Sequence, residues 1–231
     1  MDDRDALTRL RSLVYQGDCP GLVAVLSQEP WPADSLHLIG DGLLAAVRDD
    51  IGGSAKLART CVNALGERSW EGDRELAEAL AAALGDGATP MLRPIAVDLE
   101  ELSMILEGDP VQGGGRIDLT TGQIWPQAAL EYAEETGEEV DEDPGRWLWV
   151  ACEGSHDGYR DMEWFIADLD DADFADRLAR AISGRGAFRR FKDVLFDRPD
   201  LMTRWHAFAN DRQRGRARSW LAAEGFTPTR T

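Results

Sequence analysis

The amino-acid sequence predicts an α+β fold, in which an N-terminal all-helical bundle precedes a small antiparallel sheet covered by several helices. Three observations support this prediction. Apolar residues recur at helical spacing through about the first 88 residues, alternate with polar residues beside a turn at Thr121-Gly122, and return to helical spacing after Ser155. With 231 residues, 43% of them hydrophobic, the chain is long enough for one large domain or two small ones.

Residues 1–88 are predicted to form a helical bundle or a helical-hairpin domain. Apolar residues at helical spacing mark five short helices, within 7–14, 22–26, 36–47, 57–65 and 76–84. Glycine and proline residues separate them, as at Gly52-Gly53. Asp34 or Ser35 is a candidate N-cap for the third helix.

A linker is predicted at residues 89–96, because Pro90 and Pro94 interrupt regular structure there. Residues 97–231 are then expected to form a second domain of the α+β type. Its first helix is capped by Asp98 and ends near Leu106.

Residues 116–126 predict a β-hairpin. Ile117 and Leu119 alternate with polar residues before the turn, and Ile124 begins the return strand. A third strand at residues 146–151 is apolar enough to be central in a small sheet. The acidic stretch 131–143 is interpreted as a solvated loop.

Four helices are predicted to follow the sheet. Ser155 caps the first, and the second begins at Asp171 or Asp173 and ends at Gly184. The third contains Phe188 and Phe191, which are both expected in the core. The fourth is long, from about residue 201 to 221, with a break near Gly215.

Several of these segments resemble a known family. The residues that carry the resemblance are Leu119-Thr120-Thr121-Gly122-Gln123, Ser155, Tyr159, Met162, Glu163 and Phe165, the string Gly186-Ala187-Phe188-Arg189-Arg190-Phe191-Lys192-Asp193, and the spaced Pro199, Leu201, Trp205 and Trp220-Leu221. This half of the chain, about residues 96–226, resembles the uncharacterised bacterial protein family number 0158 of the UPF series. The resemblance implies an α+β domain and brings no activity, ligand or site.

Charge is distributed very unevenly along the chain. Seventeen acidic and two basic residues lie between Glu131 and Asp176, whereas ten basic and four acidic residues lie between Gly184 and Trp220. The net charge of −18 repels nucleic acids and anionic membranes at long range. Residues 184–220 are the one stretch that could still contact nucleic acid. The absence of a long apolar segment and the three scattered cysteines favour a cytoplasmic protein without a membrane span.

The basic stretch also provides candidate ligand-binding residues, Arg185 and Arg189. Gly184 and Gly186 precede a helix start, where free backbone N–H groups favour an anion, and arginine binds phosphate or carboxylate in a bidentate way. The alternative is structural: Arg189 and Lys192 would pair with carboxylates of residues 168–176. We favour ligand contact for Arg189 and structural pairing for Lys192.

No catalytic residue, metal site or cofactor is predicted. Glu153, His156, Asp157 and Asp161 could ligate a metal beside a phosphate at Arg189, as in a metal-assisted hydrolase or nuclease. However, the spacing matches no known zinc motif, and a solvated helix start explains these residues equally well. Ser155, His156 and Asp157 are consecutive and cannot converge as a catalytic triad.

Trp149 and Tyr159 are candidates for an aromatic ligand pocket between the sheet and the helices. They would suit a small-molecule sequestering protein of the resistance type. Our leading hypothesis is instead a non-enzymatic cytoplasmic binding or regulatory protein, whose partner is a protein or an anionic small molecule. Its basis is the opposed charge blocks together with the absence of a convergent acid, base or nucleophile.

Overall fold

The structure of the protein is a computed structural model that describes residues 3–28, 30–111, 113–136, 143 and 145–229. It confirms the predicted α+β class, with an N-terminal group of helices followed by a small antiparallel three-stranded sheet and further helices. None of the helices in these ranges is both long enough and apolar enough to cross a membrane.

The helices in the described residues are α1 (Asp3–Gln16), α2 (Cys19–Leu26), α3 (Leu36–Arg48), α4 (Ser54–Arg68), α5 (Asp73–Ala83), α6 (Leu99–Leu106), α7 (Gln127–Thr136), α8 (His156–Ala167), α9 (Ala172–Ile182), α10 (Ala187–Leu195) and α11 (Pro199–Ala223). A short 3-10 helix at Ala33–Ser35 leads into α3. The strands are β1 (Arg93–Ile95), β2 (Gly115–Asp118), β3 (Ile124–Pro126), β4 (Trp147–Val150) and β5 (Phe226–Pro228).

Helices α1 to α5 form the bundle expected for the first 88 residues. Its core includes Leu22, Ile39 and Leu76, all almost fully buried. Gly42 allows α2 and α3 to approach closely, because a Cβ atom at this position would lie 2.3 Å from a methyl group of Leu22. Ser35, one of the two expected residues, occupies the N-cap position of α3, but its side chain makes no capping hydrogen bond.

The three-stranded sheet has the order β3-β2-β4, and both pairings are antiparallel. Ile117 of β2 lies opposite Ile124 on one side and Leu148 on the other. The prediction that β4 is the central strand is therefore wrong. β4 is an edge strand, and it is apolar because Trp147 and Val150 are buried against the protein, whereas Trp149 is exposed.

The acidic stretch 131–143 does not begin as a loop. Helix α7 extends through Thr136, because alanine, leucine and glutamate are strong helix formers and Leu130 and Ala133 bury one face of the helix. Residues 137–142 of the stretch lie outside the described residues.

The predicted linker contains a strand. Residues 93–95 form β1, which pairs in parallel with β5 near the end of the chain. A proline is tolerated at position 94 because a two-stranded ribbon has no interior strand. The division into domains at residues 89–96 stays a prediction, and the contacts that cross it are described next.

Helix α11 is continuous, so the break expected near Gly215 is absent from its described residues. Gly215 serves a different purpose. A Cβ atom there would lie 2.2 Å from the carbonyl oxygen of Glu71, and a Cβ atom at Gly72 would lie 2.2 Å from the carbonyl oxygen of Gly215. The two glycines therefore let the backbone before α5 touch the backbone of α11.

Ion pairs join the bundle to α11. Asp41 of α3 accepts hydrogen bonds from Arg218 and, at 3.2 Å, from Arg214. Arg214 also binds Glu100 of α6 at 2.9 Å. Arg214 and Arg218 are almost fully buried, and a buried cation that lost its partner would be strongly destabilising.

A second buried cluster lies next to the glycine contact. Arg68 binds Asp211 of α11 at 2.5 Å and Asp73 at 2.6 Å, and the backbone N–H of His37 donates to Asp211 at 2.8 Å. Arg218 donates to Nδ1 of His37 at 3.4 Å, which leaves Nε2 to carry the proton that faces Asp73 at 3.1 Å.

This cluster changes the acidity of Asp73. Burial raises the pKa of its carboxyl group, but the hydrogen bonds with His37 and Arg68 outweigh burial and lower the pKa to about 2. Asp73, the first residue of α5, is therefore ionised above about pH 2, and its contacts with His37 and Arg68 hold this end of the helix in place.

Beyond the bundle, two further cores form. One lies between the three-stranded sheet, α6 and the end of α11, and the other lies among α8, α9, α10 and the first half of α11. Trp70, from the turn before α5, packs edge-on against Phe208 of α11 with the ring centroids 5.4 Å apart. The bundle therefore contributes to the apolar contacts of the second core.

The prediction that Phe188 and Phe191 both lie in the core is half correct. Phe191 is fully buried, whereas Phe188 is 37% exposed. The buried stripe of α10 runs through Ala187, Phe191 and Leu195, at intervals of four residues, so Phe188 lies to one side of it.

We expect Phe191→Ala to lower the free energy of unfolding by about 3–5 kcal/mol, because it leaves a cavity beneath α10. Phe188→Ala is the matched control and should cost clearly less. Urea denaturation of both variants tests this, and equal losses would place the two rings in equivalent surroundings.

We expect Gly215→Ala to destabilise the protein by about 1–3 kcal/mol, since its methyl group would overlap the carbonyl oxygen of Glu71. Gly66, inside α4, has open space at its Cβ position, so Gly66→Ala should be neutral or stabilising. Thermal melts of both variants compare the two helix-interior glycines, and a harmless Gly215→Ala would contradict the backbone contact.

We expect the contribution of the Asp73 carboxylate to stability to be complete above its ordinary pKa of 3.8 and to be lost as the pH falls towards about 2. The free-energy difference between the parent and Asp73→Asn should accordingly shrink by about 2 kcal/mol between pH 4 and pH 2. Urea denaturation across this range measures it. A difference that stays constant would contradict the lowered pKa.

Candidate functional site

A groove with a volume of about 460 Å³ lies where α1, α8, α10 and α11 meet. One face of α11 forms the floor of the groove. Residues of α1, α8 and α10, together with Glu107 after α6, form its walls. The residues that line it are Arg11, Glu107, Gly158, Asp161, Phe188, Lys192, Trp205, His206, Ala209, Asn210 and Gln213.

The carboxylates of the groove are held by arginines of α11. Asp161 binds Arg212 at 3.0 Å and Arg216 at 2.9 Å, and Glu107 binds Arg216 as well. Asp161 and both arginines are buried, which makes these contacts strong. The acidic side of the groove is therefore neutralised by its own neighbours.

The basic side chains of the groove are not all paired with carboxylates in the same way. Neither the Lys192 ammonium nor the His206 ring makes a hydrogen bond or an ion pair with any residue in the described ranges. Arg11 binds Glu100 at 2.8 Å through one nitrogen, and Glu100 is shared with Arg214. Three basic side chains thus line one groove in a chain whose net charge is −18.

The positive charges of Lys192 and Arg11 lie close enough to His206 to affect the pKa of its ring. Burial lowers the pKa of the His206 ring, and the positive charges of Lys192 and Arg11 lower it further. An anion placed among the three side chains would reverse this repulsion. The groove therefore favours a negatively charged ligand.

The groove also has an apolar wall. Phe188 covers Gly158 of α8, where a Cβ atom would lie only 3.2 Å from the ring, so glycine leaves room for the phenyl group. Trp205 lies beneath it and is buried against Phe191, with the ring centroids 4.7 Å apart. The exposed part of Phe188 offers a surface on which a flat or apolar group can stack.

Amide groups complete the floor. Gln213 donates to Glu107 at 2.9 Å, and Asn210 donates to Glu100 at 3.0 Å and accepts from Arg214 at 3.2 Å. The Asn210 side chain is thus fixed in place, while the carbonyl oxygen of Gln213 accepts no hydrogen bond from the described residues.

The structure does not bring the predicted site residues together. The side chain of Arg189 is 90% exposed and lies 3.9 Å from Asp193, and Arg185 is exposed on the turn before α10. The carbonyls of this turn are occupied, because Arg190 donates to Ala181, Ser183 and Arg185. Arg185 and Arg189 do not line the groove.

The two aromatic candidates also lie apart from the groove. Trp149 is 61% exposed on β4, and the guanidinium of Arg116 stacks 4.0 Å from its ring centre. Tyr159 packs into the core of α8 to α10, and its hydroxyl donates to the carbonyl of Ile182 at 3.3 Å. Each side chain therefore has a structural partner in a different core region.

The expected pairing of Arg189 and Lys192 with residues 168–176 is not found among the described residues. Asp168 instead binds Arg204, and Asp171 binds Arg198 at 3.4 Å. Lys192 lines the groove and makes no ion pair with residues 168–176 in the described ranges.

The residues considered for a metal have other partners. Asp161 is bound by two arginines, and Asp157 binds Arg160 at 2.6 Å. In the part of the chain that the structure describes, no group of three or more His, Cys, Asp or Glu side chains could hold a metal ion.

Sequence patterns did not indicate Arg11, His206 or Gln213 as site residues. Arg11 lies on α1, far along the chain from the other two on α11, and the three share no motif. Lys192 could have been placed beside Phe188 from the sequence, because it follows Phe188 by four residues and so lies on the same face of the helix.

Comparison with known proteins identifies the family of the C-terminal half. Residues 118–230 match the model described as "Uncharacterised protein family (UPF0158)". A UPF0158 protein of Pseudomonas aeruginosa is 25% identical over 137 residues, which are 59% of this chain and 88% of that relative. No solved structure matches the chain. Residues 118–230, which include β3, β4, α8 to α11 and most of the residues that line the groove, are thus similar to the uncharacterised protein family UPF0158.

Proposed function

We propose that this protein is a non-enzymatic binding or regulatory protein of the bacterial cytoplasm, and that the groove over α11 binds an anionic small molecule. The observation that supports the proposal most directly is the pair Lys192 and His206. They face one groove without a partner among the described residues, while the carboxylates beside them are held by arginines.

The size and shape of the groove agree with a small molecule. Its volume of about 460 Å³ lies within the range of about 300–1,000 Å³ found for ligand pockets. The cations suit a carboxylate or phosphate group, and the Phe188 ring suits an apolar or flat group next to it.

Nucleic acid is a weaker candidate for the basic stretch 184–220. Arg212, Arg214, Arg216 and Arg218 are buried and paired with carboxylates, so they are not available to phosphate groups. Four of the ten basic residues that suggested nucleic-acid contact are therefore buried and paired inside the protein.

The enzymatic and aromatic-pocket alternatives have less support. A metal-assisted hydrolase would need Asp161, which two buried arginines already bind. Cys61 is unsuited as a nucleophile, since burial raises the pKa of its thiol to about 12. An aromatic sequestering pocket would need Trp149 and Tyr159 near each other, and each packs in its own region.

The cysteines agree with the proposed compartment. Cys19, Cys61 and Cys152 form no disulfide in the structure, as expected for a protein of a reducing cytoplasm. The bacterial relative agrees with a bacterial origin.

We expect the parent protein to bind a multivalent anion, with inorganic pyrophosphate and citrate as probes, in isothermal titration at low salt. Lys192→Glu should weaken binding at least about tenfold, because it places an anion where the ligand charge must lie. The melting temperature without ligand should stay close to that of the parent, since Lys192 has no partner to lose among the described residues.

Arg189→Glu is the matched control, because it makes the same charge change on the same helix outside the groove. It should leave binding nearly unchanged. If both variants weaken binding equally, the effect is general charge and not the groove. If the parent binds neither probe, and native mass spectrometry of the purified protein finds no bound anion, the proposal is wrong.

A further inference from the structure

A second cavity lies at the junction of the bundle with β5 and the start of α6. Its volume is about 130 Å³. Most of its wall is apolar and comes from both sides of the junction: Leu13, Val14, Leu22 and Leu44 from the bundle, and Val97 and Leu99 from the segment before and within α6.

The size and chemistry of this cavity restrict what can fill it. A cavity of about 150 Å³ in another protein binds benzene, so this cavity is large enough for one aromatic ring, which its apolar side chains would contact. The exposed side chains of Tyr15 and Arg48 lie among its lining residues, so small molecules can reach it from solvent.

Most polar groups of the cavity are already occupied. Both carboxylate oxygens of Asp41 accept from arginines, and the Tyr15 hydroxyl accepts from Arg214 at 2.8 Å. Asp98 differs. One of its oxygens caps α6 by accepting from the backbone N–H groups of Glu100 and Glu101, and the other receives no hydrogen bond from the described residues.

We propose that this cavity is a second binding site, which takes a small aromatic molecule the size of phenol or indole with one hydrogen-bond donor directed at Asp98. The apolar wall accounts for the ring, and the free oxygen of Asp98 accounts for the donor. This site does not depend on the groove and shares no lining residue with it.

The site exists only where the bundle meets the rest of the chain. Of its lining residues, Arg214, Pro228 and Thr229 fall within residues 118–230, the part that matches the family. All the others precede residue 118. The N-terminal helices thus add a binding site that the family region alone does not contain.

Ligand-observed NMR and isothermal titration with phenol and indole test the proposal. The full-length protein should bind them with a Kd on the order of 0.1–1 mM, as suits ligands of this size. Ala45→Leu, which fills the cavity from α3, should weaken binding at least about tenfold, whereas Lys192→Glu in the groove should leave it unchanged. Absence of binding by the parent at about 10 mM ligand would overturn the proposal.

Two further variants keep the test decisive. Thr229→Phe fills the cavity from the residue after β5 and alters no core helix, so it tests the site even if Ala45→Leu fails to fold. If this variant melts like the parent and still binds phenol, the proposed site is wrong. Asp98→Ser keeps a good helix cap and removes the free carboxylate oxygen, so it should abolish the preference for phenol over benzene. A preference that survives this change would overturn the role of Asp98.

Discussion

Burial of arginine charge along α11 is the constraint on which the rest of the structure depends. Arg212, Arg214, Arg216 and Arg218 lie inside the protein, where an unpaired guanidinium would be strongly unfavourable. Their carboxylate partners come from three other helices, because Asp41 lies on α3, Glu100 and Glu107 lie on α6 and at its C-terminal end, and Asp161 lies on α8. Folding must therefore gather these elements around one helix, and the same ion pairs that stabilise α11 fix the positions of its neighbours.

The groove follows from this arrangement. Because Asp161 and Glu107 are drawn towards the buried arginines, they are not free to pair with the cations on the outer side of α11. Lys192 and His206 consequently face an open space in which negative charge is in short supply, although the chain as a whole is strongly acidic. The charge that a ligand would meet is set by local pairing and not by the net charge.

The elements with strong periodicity could be predicted from the sequence, and the long-range contacts could not. The helices of the bundle, the hairpin at β2 and β3, and the stripe through Phe191 follow from local spacing. The arginines of α11 gave a misleading signal, since charged residues in a helix normally face solvent, and only partners far away in the chain explain their burial. The prediction for Phe188 was wrong because this residue lies at the border between the buried and the exposed face of α10. Helical spacing alone does not separate such a border position from a core position.

The contact between Gly72 and Gly215 couples two distant positions of the chain. A side chain at either glycine would overlap the backbone of the other segment, so neither position can accept a larger residue unless the turn before α5 and the middle of α11 move apart. Such a movement would also separate Trp70 from Phe208 and Arg68 from Asp211. The glycine pair therefore acts as a steric check on how closely the bundle is seated against α11.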